Sequence, residues 1–153
     1  MPETKTDPRL TFQLFNEIGI IAQLSRAMME RELPDGLLVS HFSVLNHLIL
    51  VQDGRTPVEL AGAFQVAKTT MTHTLSGLEK HGLVEMRANP KDGRSKRVWI
   101  TEAGRRFRDQ AIEALVPKMA EMAKELSPQR LEELLPDLTE VRIYLDQLRD
   151  NQP

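Results

Sequence analysis

A mostly α-helical fold carrying one small β-hairpin is what the sequence predicts, and three observations predict it. Apolar residues recur at three- and four-residue steps along most of the chain. Only two short stretches, Leu83 to Ala88 and Val98 to Thr101, alternate apolar and polar residues as strands do. Between them lies NPKDGRSKRVWIT, Asn89 to Thr101, which sets four cations and one acid into seven residues around a glycine and then turns apolar. That segment reads as the tip of a hairpin.

The elements follow in order. From near Pro8, Leu14, Ile18, Ile21 and Met28 share one helical face, and the pattern ends in the turn-forming run RELPDG. A second helix is expected after Ser40 as its N-cap, with Phe42, Leu45, Leu48 and Ile49 on its apolar face and a stop at Asp53-Gly54. Thr56-Pro57-Val58-Glu59 is a capping box with proline at the first helical position, and opens a short helix to about Phe64. After Gln65-Val66-Ala67 a longer helix has Met71, Leu75 and Leu78 inward and ends in basic residues and a glycine cap, Lys80-His81-Gly82. Val84 and Met86 then oppose Glu85 and Arg87 on the first strand. Thr101 caps a long helix bearing Phe107, Ala111, Leu115, Met119 and Met122. Ser127-Pro128 opens the last one, where Leu131, Leu134, Leu138, Val141, Leu145 and Leu148 keep coiled-coil spacing and Pro136 predicts a kink or a restart.

The chain of 153 residues suits a single domain with an ordered core over about 10–148. It has no cysteine, which excludes disulfides, thiolate metal sites and thiol redox sensing and fits a reducing cytoplasm. The start, MPETKTDPRL, lacks a signal peptide's apolar core, and no apolar run is long enough to span a bilayer. Net charge is −2, but it is uneven: residues 1–53 carry four cations and seven acids, 54–101 eight and four, 102–153 eight and eleven. A basic middle between acidic ends is the local field that guides a polyanion.

Short helix, tight turn, longer helix and basic hairpin together make a helix-turn-helix over 57–81 followed by a wing over 83–101. With Met71, Leu75 and Leu78 inward, Thr69, His73, Ser76 and Lys80 face outward, Thr70 and Thr72 flank them, and Lys68 lies in the first turn near the phosphates. Short hydroxyls of this kind reach base edges or phosphates in a major groove. On the wing, Arg94 is expected in the adjacent minor groove and Lys91, Lys96 and Arg97 on phosphates. Asp92 is expected to accept hydrogen bonds from Arg94 or the turn backbone, with Gly93 allowing the sharp turn. The outer helices, 9–31 and 102–150, hold more apolar surface than a small winged core can cover. Leu14, Ile18, Leu131, Leu134, Leu138, Val141, Leu145 and Leu148 are therefore assigned to a homodimer seam.

The run LSGLEKHGLVEMRANPKDGRSKRVWITEAG, Leu75 to Gly104, resembles the MarR family (multiple antibiotic resistance regulators). Leu78, Glu79, Gly82, Leu83, Asp92, Arg94, Thr101, Glu102 and Gly104 carry the likeness, and DGLLVSHFSVLNHL and TPVELAGAFQVAKTTMTHTL are similar to the helices before it. The resemblance spans roughly Leu10 to Leu148. Gln65 departs from it, standing where the tight turn more often has glycine. The resemblance implies an obligate homodimer that binds pseudo-palindromic double-stranded DNA, usually as a repressor, and responds to small aromatic or phenolic anions.

Blander readings compete. Met28, Met29, Met119 and Met122 are expected as packing. His41 and His47 are six apart and share no helical face, so no metal site is expected. No cofactor is expected either, and nothing resembles a nucleophile elbow, a phosphate-cradling glycine loop or a metal-spaced His/Glu pair, so an enzyme is not the reading. Trp99 is expected to point away from the wing's inner face. The rival to a DNA-binding regulator is a winged-helix module that binds protein; the basic wing and recognition face favour DNA.

Overall fold

The computed structural model describes residues 7–34 and 36–151; the first six residues of the polar N-terminal run and Asp35 of the first turn cluster lie outside the described residues. The element order is α1 (Pro8–Glu30), α2 (Val39–Leu50), α3 (Pro57–Ala63), α4 (Lys68–Lys80), β1 (Val84–Ala88), β2 (Lys96–Ile100), α5 (Glu102–Glu125) and α6 (Pro128–Asp150). The chain divides into two compact units, one ending at Ala114 and one beginning at Leu115.

The first unit holds the core. Val44, Leu45 and Leu48 of α2, Leu60 of α3, Met71, Leu75 and Leu78 of α4, and Val84 and Val98 of the hairpin are buried together. At about 1.5–3 kcal/mol for each fully buried side chain, this cluster is what holds α2, α3, α4 and the hairpin as one body. Ala103 and Phe107 pack against it. The start of α5 therefore completes the winged unit, and the span assigned to dimerisation helices, 102–150, opens with residues that serve the core.

Local chemistry sets the boundaries. Asp7 caps α1, its Oδ1 accepting from Arg9 N–H at 2.9 Å, with Pro8 in the first turn. The capping box of α3 is present: Glu59 N–H donates to Thr56 Oγ1 at 3.2 Å and Thr56 N–H to Glu59 Oε2 at 2.8 Å. Ser40, expected to cap α2, lies inside it. The N-cap is instead Leu38, whose N–H donates to Nδ1 of His41, three residues on, at 2.8 Å. An imidazole nitrogen there does the work that a glutamate or glutamine side chain does in a capping box, while the N-cap position itself is an apolar residue that offers no cap signal.

The end of α4 and the start of α5 meet. Leu83 N–H bonds Leu78 C=O and Gly82 N–H bonds Glu79 C=O, both at 2.9 Å, with Gly82 at φ +69: the paired bonds of a Schellman motif. Thr101 then donates its hydroxyl to Gly82 C=O at 2.7 Å and accepts from Gly104 N–H at 3.0 Å. Any side chain on Gly104 would drive into the Leu83 carbonyl and the Ile100 side chain. The Thr-Glu-x-Gly run thus has a physical reason: one residue staples two helices, and the other lets them approach.

Helices α5 and α6 run unbroken through Pro117 and Pro136. The expected restart at Pro136 does not occur. Each proline removes the N–H that would bond the carbonyl four residues back, on Glu113 and Glu132; both are exposed, so water can take those carbonyls. No residue of α1 or α6 is buried.

Candidate nucleic-acid interface

The turn between α3 and α4 sets the direction of α4. Gln65 sits there at φ +54, the only non-glycine with positive φ among the described residues. Its Nε2 donates to Gly62 C=O at 2.9 Å, and Val66 N–H reaches Ala61 C=O at 3.0 Å. Glutamine is thus forced into glycine's conformation and partly compensated by its own side chain.

On α4 the sequence expectation for the inner face holds, with one addition. Met71, Leu75 and Leu78 are buried, and so is Thr74, whose hydroxyl donates to Thr70 C=O at 3.2 Å. That threonine is packing and does not belong with the outward set. Lys68, Thr69, Thr70, Thr72, His73, Ser76 and Lys80 are all exposed. Thr72 donates to Lys68 C=O at 2.8 Å, so its hydroxyl is free only to accept; Thr69 and Ser76 make no side-chain bond among the described residues. Thr70 stands apart from the rest. It borders a cavity of about 350 Å³ lined by Phe64, Met71 and residues of α2, with Arg26, Ser40 and Ser43 also on its lining.

The wing is an antiparallel pair with Val84 opposite Ile100, Met86 opposite Val98 and Ala88 opposite Lys96. Lys96 and Arg97 are strand residues, so the tip proper is Asn89 to Ser95. Asp92 does what was expected of it: its Oδ1 accepts from Arg94 N–H at 3.0 Å, and its C=O accepts from Ser95 N–H at 3.1 Å. Gly93 does not: its φ is not positive and a Cβ there would meet nothing, so the bend is made by the Asp92 turn and not by glycine's freedom. Lys91, Arg94 and Lys96 are exposed and form no ion pair among the described residues. Arg97 is half-buried, its Nε donating to Asn89 Oδ1 at 3.2 Å.

Asn89 is the residue the sequence reading missed. Besides Arg97 it accepts from Lys91 N–H at 3.1 Å and donates to Ser95 Oγ at 2.9 Å, tying both sides of the tip. The available signal was the Asn-Pro pair, which favours turn initiation. Also missed was the base of the wing. Asp53 Oδ1 accepts from Gly54 N–H and from Ile100 N–H, each at 3.0 Å, and its other oxygen pairs with Arg105 at 3.5 Å. Arg55 forms a bridge with Val98, and Trp99 lies over Gly54 with Arg87 5.3 Å from its ring. The wing is therefore fixed to the ends of α2 and α5 before it meets anything.

A short helix, a tight turn, a helix with a hydroxyl-rich free face and a preshaped basic hairpin define a winged helix-turn-helix protein. The sequence model of the MarR family matches residues 35–95. Among solved structures, the chain is similar to the transcriptional regulator BldR from Sulfolobus solfataricus, at 28% identity and TM-score 0.76 over 91% of this chain and 99% of that one. It is also similar to wild-type MarR from E. coli, at 26% identity and TM-score 0.73 over 84% and 95%. A mutant of that protein, complexed with operator DNA, matches at 26% identity and TM-score 0.70 over 84% and 93%. The chain is thus similar to MarR-family transcription regulators in sequence over residues 35–95 and in its winged helix fold over most of its length. No helix among the described residues is long and apolar enough to cross a membrane.

Proposed function

We propose that the chain is a cytoplasmic homodimeric repressor that binds a pseudo-palindromic operator and leaves it when a small aromatic or phenolic ligand binds. One observation carries the DNA reading: the outward face of α4 and the wing tip offer hydroxyls and unpaired cations on a backbone already held in shape by Asp92, Asn89 and Asp53. The solved relative in complex with operator DNA supports the same use of the fold. In this reading Lys68, Thr69, Thr70, Thr72, His73 and Ser76 meet the major groove. Arg94 enters the minor groove, and Lys91, Lys96 and Arg97 meet phosphates, with Asp92 shaping the tip.

The dimer reading rests on α1 and α6. Leu14 of α1 and Leu131, Leu134, Leu138, Leu145 and Leu148 of α6 are exposed, and Ile18 and Val141 are only partly covered. Two helices that leave much of their apolar faces exposed are what a second copy would bury. The ligand reading rests on the cavity beside Thr70: an apolar floor with a cation and hydroxyls suits a ring bearing a negative group, and it adjoins the helix that would read DNA.

Footprinting on the DNA flanking the protein's own gene, with and without aromatic acids, tests all three parts. Protection of two half-sites about 10 bp apart, or a multiple, is expected. A single protected half-site overturns the dimer, and protection unchanged by every acid overturns the ligand.

A further inference from the structure

The chain has four histidines, and all stand on α2, on α4 or just after α4: His41, His47, His73 and His81. His41 is the buried one, 7% exposed. Its Nδ1 accepts from Leu38 N–H at 2.8 Å, so its proton is on Nε2. That Nε2 faces Gly77 of α4 so closely that a Cβ there would lie 2.6 Å away. His73, Gly77 and His81 are spaced four apart and lie along one side of α4. The missing side chain of Gly77 makes the slot into which the His41 ring fits.

We propose that His41 is the positioning residue that seats the recognition helix on α2, and that it does so only as a neutral ring, so that mild acid unseats α4 and weakens DNA binding. The DNA half of this rests on the function proposed above. A second proton would sit on Nδ1 and point at the Leu38 N–H, donor against donor. It would place a cation in the first turn of α2, where the helix dipole is already positive. The titratable groups facing the ring from α4 are His73 and His81, which repel a charge on it. From α1, Glu30 holds the adjacent Val39 N–H at 3.3 Å. The only other titratable side chain on α2 is His47. Burial first, then His81 and His73, hold the His41 ring below the ordinary histidine range, in keeping with the geometry.

The test uses the full-length chain. Ring nitrogen shifts should show His41 as the Nε2–H tautomer, titrating below the ordinary histidine midpoint; a midpoint at or above the ordinary one, or the other tautomer, overturns the proposal. The binding probe is a duplex enriched by the wild-type protein from a random pool at about pH 7.5. Wild-type affinity should fall in acid by up to about tenfold per pH unit, the limit for one proton. His41→Asn keeps an acceptor for Leu38 and cannot gain the proton; it should lose that slope whatever its affinity at the higher pH, and equal slopes overturn the proposal. Should His41→Asn not fold, His81→Asn in its place should move the His41 titration upward, and an unmoved ring counts against the cluster. Should no duplex be enriched, the functional reading fails, while amide-exchange protection of α4 still decides the seating. It should drop in acid for wild type; protection that stays level refutes the switch.

Discussion

Asp92 places a negative charge on a surface proposed to meet phosphate, and its bond to Arg94 N–H explains why it is kept there. Two forces then compete when it is removed. Loss of an acid favours any polyanion, whereas loss of the turn frees the tip and charges its ordering to the binding step. Asp92→Ala is expected to bind the operator more weakly and random DNA no more weakly than wild type; tighter operator binding would show that the shaping role is wrong. Gln65 poses a different question, since it holds a left-handed conformation that costs a side chain about 1–2 kcal/mol against an exposed bond of about 0.5–1.5 kcal/mol. Gln65→Gly is expected to raise stability by up to about 1 kcal/mol, read as a higher urea midpoint at constant slope. At this scale the sequence was legible where a turn-forming acid bonds its own turn, and not where a side chain also ties distant segments. Asp92 reaches two residues and was anticipated; Asn89 reaches eight, Asp53 forty-seven, and both were not.

Helix α2 carries two histidines used as acceptors. His47 Nε2 takes a hydrogen bond from Arg55 Nη1 at 3.1 Å, and the His47 ring lies 5.3 Å from that of Phe64. Arg55 has its Nε buried with no partner among the described residues, so this bond matters to it. Burial, and then Arg55, hold His47 below the ordinary range, as burial and the α4 histidines hold His41. The sign follows from proton uptake: with folded values depressed, the unfolded chain binds more protons once the pH drops below about 6.5. Stability is whole above that value and should decline as pH falls through it toward the folded values. A His47→Gln variant, which can still accept from Arg55, should show a shallower decline in urea melts; an identical decline would remove His47 from the account. Elements were legible where one residue type has one job, as in the Thr56 capping box and the Gly82 helix end. They were not where an unusual residue filled the job, as Leu38 and His41 do at the start of α2, or where solvent excused a broken rule, as at Pro117 and Pro136.

Over the whole chain, the winged unit could be read from periodicity alone because its apolar residues are buried within one copy. The outer helices could not be closed that way: the leucines of α1 and α6 have spacing, but none is buried among the described residues. Leu138 keeps 37% of its surface exposed in a single chain, so an acid there can still reach water in the isolated protomer but becomes a buried unpaired charge in the proposed dimer. Leu138→Asp should therefore sediment as a monomer while its winged unit stays folded; an intact dimer that still binds DNA would refute the seam.

The bare faces of α6 have one more consequence, and it concerns dose. A helix with no buried residue draws little order from its own chain, so in the dimer reading part of the fold's free energy arrives only on encounter with another copy. Each tenfold dilution should then remove about 1.4 kcal/mol of apparent stability. The melting temperature should climb with protein concentration, and a scarce regulator would be a fragile one.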